Sequence, residues 1–137
     1  MQIVVPAETW ANERRVALIP DSVKKLTRAG LSVAVESGLG SQSGFSDADY
    51  SDAGATISSD RNELISIGDI VLRVRKPASE EVKLLKKGAI QVSYLDPYNE
   101  HELVDSLVTQ GVTSISMEMI PRTTRAPMIE ATVLKSS

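Results

Sequence analysis

The chain has 137 residues, 42% of them hydrophobic, a formal net charge of −3 and no cysteine, which gives room for one buried core and not for two. That charge balance offers no bulk attraction to nucleic acid or to an anionic membrane, and 4% aromatic residues are too few for a base-stacking platform. With no thiol there is no disulfide and no thiolate metal site, no apolar run approaches about 18 residues, and the opening MQIVVPAE lacks a charged leader before a long apolar stretch, so the sequence predicts a cytoplasmic protein without signal peptide or membrane span.

In chain order, Gln2 to Val5 reads as a short buried strand ended by Pro6. Ala7 to Ile19 is a polar connection carrying Glu8, Glu13, Arg14 and Arg15; it is long for a strand-to-helix loop, and ordered loops of that length tend to be functional. Pro20 and Asp21 open a helix with Val23 and Leu26 on its buried stripe, and Gly30 ends it. Leu31 to Glu36 is the second strand, SGLGSQSGF follows, Ser46 caps a short helix through Ala53, and Gly54 stops it. Ala55 to Ser58 is a brief third strand, and Asp60 with Glu63 forms a capping box for a helix to Ile67.

The stretch Asp69 to Pro77, DIVLRVRKP, reads as the middle of the sheet. Ile70, Val71, Leu72 and Val74 suit a strand buried on both faces, and Arg75 and Lys76 lie where it leaves the sheet before Pro77 forces a turn. Ser79 caps the next helix, with Glu80 and Glu81 in its first turn, Lys83, Lys86 and Lys87 toward its end and Gly88 after it. Ala89 to Leu95 is a strand. Asn99 with Glu102 caps an amphipathic helix whose Leu103, Val104, Leu107 and Val108 share a face; Gly111 closes it, and Val112 to Ser116 is the last clear strand. Beyond Met117, Pro127 breaks any helix, and Ile129 to Leu134 reads as a short strand or docked tail.

This alternation predicts an α/β fold: a three-layer, Rossmann-like or flavodoxin-like domain with a mainly parallel sheet and helices on both faces. Such a sheet opens its ligand crevice outside the carboxyl ends of the strands. Glu8 and Arg15 follow the first strand, Arg75 the central one, Asp96 the fifth, and Glu118 and Arg122 the last, so all fall at that edge. Converging guanidinium groups bind carboxylate or phosphate bidentately; the alternative for each arginine is an ion pair with a local acid or a side chain that simply faces water. Gly38, Gly40 and Gly44 sit between a strand and a helix, but GxGxxxG spacing and a short following helix favour a structural turn over a nucleotide loop. His101 has no partner ligands and no metal site is indicated. Ser93, Ser114 and Ser116 have no neighbouring histidine, and Trp10 reads as a loop anchor.

The segments ETWANERRVALIP, VAVESGLG, FSDADYSDAGATI, DIVLRVRKP, SYLDPYNE and SMEMIPRTTRA, in that order and spacing, resemble the amino-terminal domain of the proton-translocating NAD(P) transhydrogenase alpha subunit; the alanine dehydrogenases share the same opening. The resemblance covers about residues 1–126 and leaves 127–137 as a divergent tail. It implies an oxidoreductase domain that packs against a second, NAD-binding Rossmann domain, with the nicotinamide in the cleft between them. Hydride then passes to NADP on another component while protons cross the membrane through separate segments. It also implies a homodimer, peripheral to the inner membrane in the full complex.

On the same resemblance, Arg122 begins the loop around the nicotinamide. Three further family positions fall on Pro127, Glu130 and Val133, where only Glu130 keeps a carboxylate, so Arg122 and Glu130 are the cofactor-binding candidates. In alanine dehydrogenase an arginine matching Arg15 and a lysine matching Arg75 clamp the substrate carboxylate, and a histidine matches Asp96. A free carboxylate repels an oxyanion, so Asp96 favours the transhydrogenase. The glycine fingerprint of the NAD-binding domain is absent from the sequence, and the expectation is a truncated domain that does not transfer hydride alone. The alternatives are a fragment of an amino-acid dehydrogenase that binds a 2-oxo acid through Arg15 and Arg75, and a non-catalytic dimerisation or interaction module.

Overall fold

The computed structural model describes residues 1–97 and 99–119, and its strands form one sheet. In chain order the elements are β1 (Gln2–Val5), α1 (Pro20–Arg28), β2 (Ser32–Glu36), α2 (Asp47–Asp52), β3 (Thr56–Ser58), α3 (Arg61–Ile67), β4 (Ile70–Leu72), α4 (Ser79–Val82), β5 (Ile90–Ser93), α5 (His101–Thr109) and β6 (Thr113–Ser116), followed by a 3₁₀ turn at Met117–Met119. The six strands lie in the order β3-β2-β1-β4-β5-β6, and every pairing is parallel. The chain therefore winds outward in one direction from β1 and in the other from β4. Their carboxyl ends mark the switch point at which an open α/β sheet takes its ligand.

Strand periodicity divides the core. Ile3, Val5, Val33, Val35, Ile70 and Leu72 pack on one face with Val23 and Leu26 of α1 and Tyr50 of α2. Val4, Ala34 and Val71 face the other way, against Leu64 and Ile65 of α3, Val82 of α4, and Leu103 and Leu107 of α5. Both faces are covered, which is why β1 and β4 read as unbroken apolar runs. The expected three-layer Rossmann-like domain is the observed one.

Local signals account for most boundaries. Pro20 occupies the first turn of α1, and Gly30 at φ +90° reverses the chain after it, letting the Leu31 amide bond back to the Leu26 carbonyl at 3.2 Å. Ser46 and Asp49 form a reciprocal capping box on α2. Gly38 and Gly44 both have φ +84°, and the Asp47 carboxylate accepts from the Ser37 hydroxyl and the Gly38 amide, so the glycine stretch is held as a turn.

Four expectations are corrected. Asp60 caps α3 by accepting from the Glu63 amide, but the cap is one-sided, without the return bond of a capping box. Ser79 is the first residue of α4 and not its cap, and α4 stops at Val82, because Leu84 and Leu85 bond back only three residues, in turns. Asn99 does not cap α5: Glu100 holds that place without a side-chain bond, while the Asn99 amide turns back to Asp96. Regular pairing in the central strand ends at Leu72; Arg73 and Val74 still exchange bonds with Val92 and Tyr94, but the chain is already bending out of the sheet. Residues 120–137, including the strand or tail expected at Ile129 to Leu134, lie outside the described residues.

Candidate functional site

Strand ends expose main-chain amides that need acceptors. At the β4 exit both Glu8 oxygens are used: Oε2 accepts from the Val74 amide and Oε1 from the Arg75 amide, each at 2.9 Å. At the β5 exit Glu118 repeats the arrangement, accepting from Leu95 at 2.9 Å and Asp96 at 2.5 Å, with the Ser116 hydroxyl donating to it as well. Burial alone would raise the Glu118 carboxyl, but the Ser116 hydroxyl and these amides outweigh it and hold the group below its ordinary value. The Trp10 indole N–H donates to the Lys76 carbonyl at 3.1 Å, a second stitch between the loops after β1 and β4.

Side chains from these loops meet over the edge. Glu13, with only 7% of its side chain exposed, binds the Arg15 guanidinium through both oxygens and lies 4.0 Å from Arg75 Nε. The Arg15 contact holds the Glu13 carboxyl down at about 2. Arg75 and Lys76 sit over the Trp10 ring at 5.3 and 5.4 Å, and Arg15 sits over Tyr94 at 5.5 Å. Lys76 is paired with Glu100. Trp10, Arg15, Arg75, Lys76, Tyr94, Asp96 and Glu118 line a polar cleft of about 470 Å³. Beneath Arg15 and Tyr94 a second hollow of about 240 Å³ runs between Val16, Ala17, Leu72, Val74, Val92 and Met117. A cationic, aromatic rim above an apolar floor suits a small carboxylate or a flat ring bearing an anionic group.

Arg15, Arg75 and Asp96 thus share one cleft, and Asp96 is set there by a left-handed backbone at φ +52°. Glu8 lies at the same edge but faces main chain. Arg122 and Glu130 fall outside the described residues. Trp10 is an anchor, as expected, and also a partner of two cations. His101 is exposed at the start of α5. Among the described residues no cluster of histidine and acidic groups is arranged to hold a metal ion. Arg15 and Arg75, each weighed as either ligand-binding or locally paired, are both rim-facing and joined to Glu13.

Three residues were not singled out by the sequence as site elements. Tyr94 lines the cleft, and Glu13 holds two of its arginines from behind. Arg73, one step out of phase with Leu72 and Val74, turns to the opposite face, where it is buried and donates to Glu81 at 2.9 Å. Glu81 is also bound by Arg61, which reaches on to Glu36 and the Ala7 carbonyl. The signal for Arg73 was its period-2 alternation with the apolar residues around it.

Residues 4–134 match the family model described as alanine dehydrogenase/PNT, N-terminal domain. The NAD(P) transhydrogenase subunit alpha of Cereibacter sphaeroides is 35% identical over 131 residues, covering 96% of this chain and 25% of that protein. The alanine dehydrogenase of Staphylococcus haemolyticus is 39% identical over 120 residues, covering 88% of this chain and 32% of that one. The crystal structure of a transhydrogenase from Sinorhizobium meliloti superposes with a TM-score of 0.84 at 34% identity, over 95% of this chain and 39% of its own. The chain thus spans between a quarter and two fifths of the length of these relatives.

Proposed function

Because the chain belongs to the alanine dehydrogenase/PNT N-terminal domain family, we propose that it acts as the first domain of an NAD(P) transhydrogenase alpha subunit. In that role the edge carrying Arg15, Arg75 and Asp96 is one wall of a cleft, and a second, NAD-binding domain is the other. The wall orients the nicotinamide and keeps water from it while hydride passes to NADP on a further component. Arg122 and Glu130 are proposed to approach the nicotinamide from the segment after the 3₁₀ turn. Pairing as a homodimer, and attachment to NADP-binding and membrane components, belong to the same proposal. None of the described helices is long and apolar enough to cross a membrane.

The observation that carries this reading is Asp96 at the lip of the cleft. A reacting carbonyl there needs a hydrogen-bond donor, and Asp96 supplies negative charge instead. The test is complementation: this chain is mixed with a related alpha subunit lacking its own first domain, together with the NADP-binding component. Restored hydride exchange between NADPH and NAD supports the role, and none at saturating chain removes it.

A second reading, an amino-acid dehydrogenase domain, is favoured by one observation. Arg15 overhangs an apolar hollow large enough for a short alkyl chain. Calorimetric titration with pyruvate decides it: heat that disappears in Arg15→Met supports a 2-oxo acid site, and no heat eliminates one.

A further inference from the structure

We infer that Glu8 is a resident stand-in for a bound anion at the switch point of the sheet, so that the main-chain amides here are closed to phosphate and the crevice admits only ligands recognised by side chains. The inference is independent of which enzyme the domain serves. It begins from topology: the crevice outside the carboxyl ends of β1 and β4 is where an open α/β fold brings a phosphate to main-chain amides. The order β3-β2-β1-β4-β5-β6 puts Val74 and Arg75 at that point.

Their two consecutive amides are not open to solvent ligands. Each donates to a different oxygen of Glu8 at 2.9 Å, the two-oxygen grip that a bound anion would make. The charge also has a local purpose. Arg73, one residue earlier, is 7% exposed, its Nε and Nη2 have no hydrogen-bond partner among the described residues, and the Glu8 carboxylate attracts it. Taking Glu8 away would leave two unpaired amides beside a buried, under-compensated cation, which is the composition of an anion site. The neighbouring exit is sealed in the same manner, by Glu118 on the amides of Leu95 and Asp96.

The test compares the wild-type chain with Glu8→Ala, reading the amide NMR signals of Val74 and Arg75 and the melting temperature. Formate, inorganic phosphate and ADP are the probes, each against chloride at equal ionic strength. In the wild type the Val74 signal stays put with all three. In Glu8→Ala, formate moves both signals saturably and raises the melting temperature by ~3 °C or more, since a ligand that binds only the folded state stabilises it. If the variant is unfolded in chloride, formate restores its folded spectrum. Movement of the wild-type Val74 signal with phosphate or ADP overturns the inference, as does a Glu8→Ala chain that formate neither shifts nor refolds.

Discussion

Glu13 grips Arg15 from two residues away with both carboxylate oxygens, Oε2 taking Nε at 2.9 Å and Oε1 taking Nη2 at 2.8 Å, while Oε2 also accepts the Arg15 amide. The contact moves the Glu13 carboxyl from about 4.5 to about 2. A carboxyl lowered by folding adds stability above its unfolded value and loses it as pH falls through its folded one. Melting curves of wild type and Glu13→Gln should therefore differ by a constant amount above pH 4.5 and converge as pH approaches 2. A gap unchanged across that window would show that the grip does not form.

Glu81 and Arg73 are partners of unequal consequence. Glu81→Gln leaves Arg73, with 5% of its side chain exposed, without the carboxylate it is bonded to, at a cost of about 3 kcal/mol. Arg73→Met removes the buried cation, and Glu81 keeps its two bonds to Arg61, so the loss is under about 1 kcal/mol. Urea unfolding of the two variants measures the difference. Equal losses would mean that Arg73 carries no buried charge.

Tyr50 is fully buried, and its hydroxyl donates to the Leu18 carbonyl at 2.8 Å, tying α2 to the end of the loop after β1. Tyr50→Phe orphans that carbonyl and should cost about 1–2 kcal/mol. Burial raises the phenol from 10.0 to about 12, so its neutral form is favoured in the fold and the stability it lends is present below pH 10 and lost as pH rises toward 12. Alkaline absorbance titration should show one of the three tyrosines ionising near 12. Ionisation of all three near 10 contradicts the buried placement.

Gly68, at φ −72°, has no need of glycine for its backbone angle; it is small because of what lies over it. A Cβ there would meet Val4 Cγ2 at 2.5 Å and Val71 Cγ2 at 3.0 Å, both on stiff side chains of central strands. Gly68→Ala should cost about 1–3 kcal/mol, measured by urea unfolding, and a neutral outcome would show that β1 and β4 have slack at their entry.

The sheet was legible because hydrophobic period and punctuation agree. Ile70 to Leu72 is a continuous apolar run, and Gly30, Gly54, Gly88 and Gly111 follow the helical or turn segments they were assigned to end. Charged residues were harder to place. Along DIVLRVRKP nothing local distinguishes Arg73, which goes inside, from Arg75, which goes to the rim: the two share one strand parity, and only the end of regular pairing at Leu72 and an acid eight residues beyond Arg73 separate them. The α4 segment carries strong helix signals at both ends, yet the helix stops at Val82 and Leu85 reaches the core through a turn, so burial overrides propensity there. Asn99 has the residue type of a cap, but its side-chain N–H donates to Asp96, already in a left-handed turn, and Glu100 takes the cap position. That Arg15, Arg75 and Asp96 meet followed from strand direction alone; that Glu13 joins the two arginines depends on a loop path that no periodicity encodes.

The seals made by Glu8 and Glu118 engage the peptide N–H of positions 74, 75, 95 and 96 and ignore the side chains there. Any residue but proline offers the same donor. The scaffold of the cleft is thus indifferent to the side chains at positions 75 and 96: at position 75, lysine can replace arginine without loosening the frame, and position 96 asks only for a residue content with φ +52°, such as asparagine or histidine. Such a design leaves the chemistry of the rim free to drift between specificities while the architecture beneath stays fixed.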